Sequence, residues 1–373
     1  MTSRERLLAA MKCQPVDRVP IYIRGLFVYN EKRIKEKDGS FLPLIEAVKE
    51  DADYYQWWPY ATSWEMFFIA SGVRVKEEEI CLSDKPKKWI YRTSISTPKG
   101  ELVQEYTRPE GQPGYVTKHL IQNEEDAEKV KAIPYQPLRP DVSIFFDYEK
   151  RVGDKGFIMT GIDDAIERVS TLLGSELLAI WSIEKRKIIL ELLDIFTERI
   201  KGLADYFITQ GVGPVFDAVG PEQALPPLQS PEDFEDFVFN YDRKIIRLVQ
   251  EKGGIFHLHS HGKLKAVLKK FAEMGMNCLH PLESPPMGDV TLTEGRAILG
   301  DKVCIEGNIQ IGDIFTEEPA LFRKRVKETV EEGKKIENFI LCPTASPYLP
   351  VLNETALSNY ISMVKIGHQL GTY

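Results

Sequence analysis

The stretch Gly254-Ile255-Phe256-His257-Leu258-His259-Ser260-His261-Gly262 decides the fold. Its first half is a short apolar run entered from glycine, the length of a buried strand, and as it ends histidine occupies every second position. Comparable runs stand on both sides. Gly156-Phe157-Ile158-Met159-Thr160 and Val212-Gly213-Pro214-Val215-Phe216 precede it, and Met276-Asn277-Cys278-Leu279-His280, Val303-Cys304-Ile305 and Asn338-Phe339-Ile340-Leu341 follow. They recur at intervals of about 22 to 57 residues with helical stretches between, which is the room a strand, a crossover helix and the next strand require. Repeated βα units of this number predict an α/β protein, a (β/α)8 TIM barrel. No low-complexity linker divides the chain, so residues 1–373 are read as one barrel domain.

Two additions to the barrel are expected. At the N-terminus, Thr2 and Glu5 have capping-box spacing ahead of Leu7, Leu8 and Met11, and Pro15 stops the segment, so a helical extension precedes the first strand at Arg18–Ile23. Within residues 88–121 the pattern alternates, Trp89-Ile90-Tyr91-Arg92-Thr93-Ser94-Ile95, turns at Thr97-Pro98-Lys99-Gly100, and continues Glu101-Leu102-Val103-Gln104-Glu105-Tyr106. This predicts an inserted β-hairpin. Asp51 to Phe68 is rich in aromatic residues, among them Tyr54, Tyr55, Trp57, Trp58, Tyr60, Trp64, Phe67 and Phe68. These are read as core, with one or two rings lining a ligand pocket.

Composition excludes several classes of function. The 48 Lys and Arg against 56 Asp and Glu give a net charge of −8, which disfavours a nucleic-acid partner. No stretch has the roughly 18 to 20 unbroken apolar residues of a membrane helix, so a cytoplasmic protein is expected. Five cysteines, Cys13, Cys81, Cys278, Cys304 and Cys342, lie without CxxC pairing, which fits a reducing compartment.

Barrel enzymes carry their chemistry at the C-terminal ends of the strands. There the chain offers Asp163, Asp164, Asp217, His259, His261, Glu283, Glu306, Asn308 and Cys342. Period-2 geometry turns His257, His259 and His261 to one face, and the two nearest the strand exit, His259 and His261, are expected to reach one metal ion. Hydrogen bonding to a substrate or phosphate, or a place in the core, is the other use of these rings. Glu283 and His280 have opposite parity, and Glu283 is taken as the one facing the pocket. Cys342 is either a thiolate that completes the set or an inert buried thiol. Asp217 and Glu306 are candidates for orienting substrate or for general acid or base work.

Several motifs in order then resemble the uroporphyrinogen decarboxylase superfamily: Arg4-Glu5-Arg6-Leu7-Leu8-Ala9-Ala10 with Pro15-Val16-Asp17-Arg18-Val19-Pro20, the Thr97–Gly100 turn, His259-Ser260-His261-Gly262, Gly300-Asp301 with Cys304-Ile305-Glu306-Gly307-Asn308, and Phe339-Ile340-Leu341 with Asn353. The resemblance spans nearly the whole chain. It implies the same barrel and one of two chemistries, decarboxylation of a tetrapyrrole or zinc-dependent methyl transfer to or from a corrinoid protein. Where the decarboxylases carry Arg-Gln-Ala-Gly-Arg, this chain has Arg24-Gly25-Leu26-Phe27-Val28, and where they carry Asn-Leu-Gly-His it has Leu341-Cys342-Pro343-Thr344-Ala345. The methyltransferase pattern, His-x-Cys-Gly plus a later Cys, is met at His259, with His261 in place of the first thiolate and Cys342 three residues before the position of the second. The resemblance therefore implies a zinc-dependent, corrinoid-linked methyltransferase with His259, His261, Glu283 and Cys342 as metal ligands. Its expected partners are a corrinoid protein and a small methylated compound such as a methoxyaromatic, a methylamine or a thiol. A porphyrinogen decarboxylase and a non-catalytic corrinoid-binding protein are the alternatives, and a homo-oligomer is left open.

Overall fold

The computed structural model describes residues 1–58 and 72–373. Of the aromatic segment, Tyr60, Trp64, Phe67 and Phe68 lie outside the described residues. Seven parallel strands form one curled sheet in chain order: β1 (Tyr55–Trp57), then β6 (Phe157–Gly161), β7 (Val215–Val219), β8 (Ile255–His259), β9 (Cys278–His280), β10 (Cys304–Ile309) and β11 (Phe339–Pro343). Between β1 and β6 lies a separate antiparallel sheet of β2 (Val75–Asp84), β3 (Lys87–Thr97), β4 (Gly100–Pro109) and β5 (Tyr115–Lys118).

The parallel sheet closes on itself through the segment read as the first strand. Ile21 pairs with Leu341 of β11, and Tyr22 pairs with Asp53 just before β1. The Tyr22 amide donates to the Leu341 carbonyl at 2.9 Å, the Leu341 amide to that of Pro20 at 2.9 Å, and the Asp53 amide to that of Ile21 at 2.7 Å. Residues 18–23 thus make bridges rather than a regular strand, and they supply the eighth stave of the barrel.

Strand alternation separates two apolar regions. Tyr22, Tyr55, Phe157, Met159, Val215, Ile255, Cys278, Cys304, Ile340 and Cys342 form an interior cluster. The residues that alternate with them along the strands, among them Ile158, Phe216, Leu258, Leu279, Ile305 and Leu341, pack outward with the helices. Leu7, Ala10 and Met11 of the helix Ser3–Met11 belong to the interior cluster, so this helix plugs one end of the barrel. Its expected capping box is formed: the Glu5 amide donates to Thr2 Oγ1 at 3.2 Å and the Thr2 amide to Glu5 Oε2 at 2.9 Å.

The expected hairpin over 88–121 is present as β3 and β4 with the turn at Pro98 and Lys99, but it is the centre of a four-stranded meander that begins earlier, at Val75. The run Lys76-Glu77-Glu78-Glu79 in β2 hid that strand, because charge replaces apolar alternation on an outer strand open to further pairing.

One buried acid pair gives the fold a pH dependence. Asp164 caps the helix Ala165–Glu184 by accepting from the Ile166 and Glu167 amides, and the acidic group of Asp242, on the helix Asn240–Glu251, adds to the burial that raises its pKa. Burial pushes Asp242 up to about 7 and Asp164 well above the usual carboxylate range. Because the folded values are raised, the protonated pair is undisturbed at low pH, and stability is lost as pH rises from the unfolded value near 4 through 7. We expect wild-type unfolding free energy to fall by about 1 to 3 kcal/mol between pH 5 and 8 from this pair, and Asp242→Asn to flatten that fall. Parallel denaturant titrations at both pH values measure it, and equal slopes for the two proteins would refute it.

Candidate active site

At the C-terminal half of the barrel interior the apolar lining gives way to polar groups. Asp217 of β7, His257 and His259 of β8, Cys278 and His280 of β9, Glu306 of β10 and Cys342 of β11 are all buried. Pairing of Asp217 with His257 and of His257 with Cys278 sets them side by side around the wall.

A chain of contacts crosses the barrel. Trp57 Nε1 donates to Asp217 Oδ2 at 2.8 Å, and Asp217 Oδ1 lies 2.6 Å from His257 Nδ1. His257 Nε2 is 3.4 Å from Glu306 Oε2 but outside hydrogen-bond geometry, so this buried nitrogen has no hydrogen-bond partner among the described residues. The Tyr55 hydroxyl donates to Glu306 Oε1 at 2.7 Å, and Cys278 Sγ is 3.9 Å from Glu306 Oε2. Burial opposes charge on His257, yet the carboxylates of Asp217 and Glu306 outweigh it and push the imidazole up to about 9. Burial likewise opposes ionisation of Glu306, and His257, Tyr55 and Arg24 hold it below the ordinary carboxylate range. The Cys278 and Cys342 thiols, in contrast, are pushed far up by burial and stay protonated.

A second group sits beside the first. His259 Nδ1 and His280 Nδ1 are 2.7 Å apart, His280 Nε2 is 3.1 Å from the Pro343 carbonyl, and Cys342 Sγ is 3.6 Å from His280 Nε2. Both rings are held neutral, by burial first and then by the nearby Arg24 cation. Arg24 stacks its guanidinium 4.3 Å over the Trp57 ring, and its buried Nη1 has no hydrogen-bond partner among the described residues.

The expected ligands are distributed between two places. His259 and His261 are neighbours, with ring centroids 4.7 Å apart, and Glu283 pairs with His261 Nδ1 at 3.2 Å while accepting from the Gly262 amide and from Gln310 Nε2, both at 2.9 Å. Cys342 is brought instead to His280 and Glu306. Two sets of three donors lie close together among the described residues: His257, Cys278 and Glu306, and His280, Glu306 and Cys342, each with its ligand atoms within 4.8 Å of one another.

The expectation that His280 turns away from the pocket is corrected. Strand β9 ends at His280, so Glu283 lies in the loop beyond it, and period-2 parity does not relate the two side chains. His261 similarly lies past the end of β8 and keeps 38% of its side chain exposed. Asp217 and Glu306, expected to orient substrate, flank His257. Reasoning from sequence turned His257 inward but left it out of the ligand set, named no particular ring of the aromatic segment for the pocket, and passed over Cys278; the usable signal for Cys278 was its inward place on a strand beside His257.

The uroporphyrinogen decarboxylase (URO-D) family model matches residues 88–370. The chain is 29% identical over 160 residues to the methylcobamide:CoM methyltransferase MtaA of Methanosarcina barkeri, and equally to that of the Fusaro strain. Each match takes in 43% of this chain and spans 44% of the relative's length. A solved methyltransferase from Methanosarcina mazei superposes over 99% of both chains with a TM-score of 0.64 at 18% identity, so the two share a fold. With more than half of its length matched by one family model, the chain belongs to the uroporphyrinogen decarboxylase family.

Proposed function

We propose that the protein is an enzyme that moves a methyl group between a corrinoid, carried by a partner protein, and a small thiol or methylated compound. The observation that carries this reading is the gathering of imidazole, thiol and carboxylate groups at the C-terminal end of the barrel interior. The partial likeness to MtaA supports it.

The donor chemistry fits a metal of the zinc class, with nitrogen from His257 or His280, sulfur from Cys278 or Cys342, and oxygen from Glu306. When bound there, such an ion supplies Lewis acidity, lowering a thiol's pKa or taking up charge on a leaving heteroatom. The protein's own groups do the rest. Glu306 and Asp217 hold the proton of His257 inside the barrel, at Nδ1 toward Asp217. Tyr55 and Trp57 fix the two carboxylates by donating to their outer oxygens. Arg24 over Trp57 gives the wall a flat, cationic face suited to an anionic or aromatic substrate. Leu228, Met287 and Tyr348, each about 60% exposed on loops leaving β7, β9 and β11, offer the apolar rim that a protein partner needs.

The test uses free methylcobalamin as donor and 2-mercaptoethanesulfonate as acceptor. The carbon–cobalt bond breaks, the carbon–sulfur bond forms, the thiol proton leaves to solvent, and the electron pair stays on cobalt as cob(I)alamin. Its appearance in the visible spectrum, dependent on protein concentration, is the expected result. Carbon dioxide release from a porphyrinogen carboxylate without methyl transfer would replace this reading with the decarboxylase.

A further inference from the structure

We infer that a zinc-class ion binds inside the barrel one pleat below His259, held by His257 Nε2, Cys278 Sγ and Glu306 Oε2. The inference deepens the proposed function and rests on that reading for the use of the ion, but on geometry alone for its binding.

His257 and Glu306 each have one atom engaged elsewhere, and their second atoms and Cys278 Sγ face the same point. His257 Nδ1 is taken by Asp217 at 2.6 Å, which leaves the buried Nε2 without a hydrogen-bond partner among the described residues. Glu306 Oε1 is taken by the Tyr55 hydroxyl at 2.7 Å, which leaves Oε2 3.4 Å from that nitrogen and 3.9 Å from Cys278 Sγ. A histidine whose second nitrogen is fixed by a carboxylate, itself held by Trp57 Nε1 at 2.8 Å, is the arrangement that orients an imidazole toward a metal. Three protein ligands leave one position of a tetrahedral ion open, and a thiolate with an imidazole selects zinc over magnesium or calcium.

The neighbouring set is less suited. His280 Nε2 faces the Pro343 carbonyl at 3.1 Å and must carry its proton to make that bond, so its lone pair is not offered. At the strand exit His261 is half-exposed and paired with Glu283, and no cysteine stands in that group.

The experiment strips the full-length protein with a chelator and titrates it with cobalt(II). We expect about one equivalent bound, with intense visible bands of four-coordinate cobalt and a near-ultraviolet sulfur-to-cobalt band. Cys278→Ser should abolish the sulfur band, whereas Cys342→Ser should leave it. His257→Gln should weaken zinc binding about 100-fold or more, and His259→Ala should not. If His257→Gln fails to fold, the two cysteine variants decide alone. A sulfur band that survives Cys278→Ser, loss of metal in His259→Ala or His261→Ala, or no cobalt binding at all would overturn the assignment. Metal bound as expected without methyl transfer defeats only the functional reading; methyl transfer with the ion elsewhere defeats only this one.

Discussion

Glu306→Gln is expected to lower the methyl-transfer rate about 100-fold or more, a loss of about 2.7 kcal/mol in transition-state stabilisation, while the barrel stays folded. Glu306 is fully buried and stands where β8, β9 and β1 converge, with Tyr55 on one oxygen and His257 and Cys278 against the other. Glutamine keeps the shape, and its carbonyl can still accept from Tyr55. Its amide then turns two donors toward His257 and Cys278, where the wild-type protein has a negative charge. The charge that holds the His257 proton is halved and the oxygen offered to a cation is lost, although no neighbour needs to move. Tyr55→Phe is the control, since it removes one hydrogen bond to the carboxylate but leaves its charge, and it should cost about tenfold in rate, less than Glu306→Gln. Steady-state kinetics with methylcobalamin, together with a thermal melt of each variant, make the measurement. A Glu306→Gln enzyme with wild-type turnover would remove Glu306 from the chemistry.

Comparing the sequence with the structure shows which kind of information each site residue needed. Strand parity was readable: His257 and His259 do face inward, as do Glu306 and Cys342, because short buried strands keep period 2 from end to end. Parity fails where a strand stops, and β9 stops at His280, which is why His280 and Glu283 both reach the interior from one short stretch. Height along the barrel axis was not readable at all. The tilt and stagger of the strands decide that Cys342 meets His280 and not His261, and that Glu306 reaches His257 from two strands away. The barrel itself was legible in its repeated apolar runs, but the closure at residues 20–22 depends on partners far apart in sequence. So does the charge that secures it.

That charge is Asp53, and Asp53→Asn should destabilise the protein by about 3 to 5 kcal/mol, the range for breaking a buried ion pair from one side. The carboxylate is wholly inaccessible. Oδ1 lies 2.6 Å from Arg6 Nη1 on the plugging helix, and Oδ2 lies 2.9 Å from both Arg18 Nη1 and the Ile21 amide. One side chain thus neutralises two cations and ties the N-terminal helix to the closing segment. Arg6 has a second partner in Asp17, but no other carboxylate pairs with Arg18 among the described residues, so asparagine would leave that guanidinium uncompensated. Adding Arg18→Met to Asp53→Asn should therefore recover part of the loss, a sign opposite to additive damage. Asp17→Asn, at a carboxylate 41% exposed, should cost no more than about 1 kcal/mol. Urea unfolding of the four proteins tests this, and a loss below about 1 kcal/mol in Asp53→Asn would show that the closure is held by the backbone bonds alone. The effect should also reach the site. Tyr22 in the closing segment stacks on Tyr55 with ring centroids 3.6 Å apart, and Tyr55 holds Glu306. Loosening the stave moves the ring that positions the central carboxylate, so Asp53→Asn should slow methyl transfer under conditions where it is still folded.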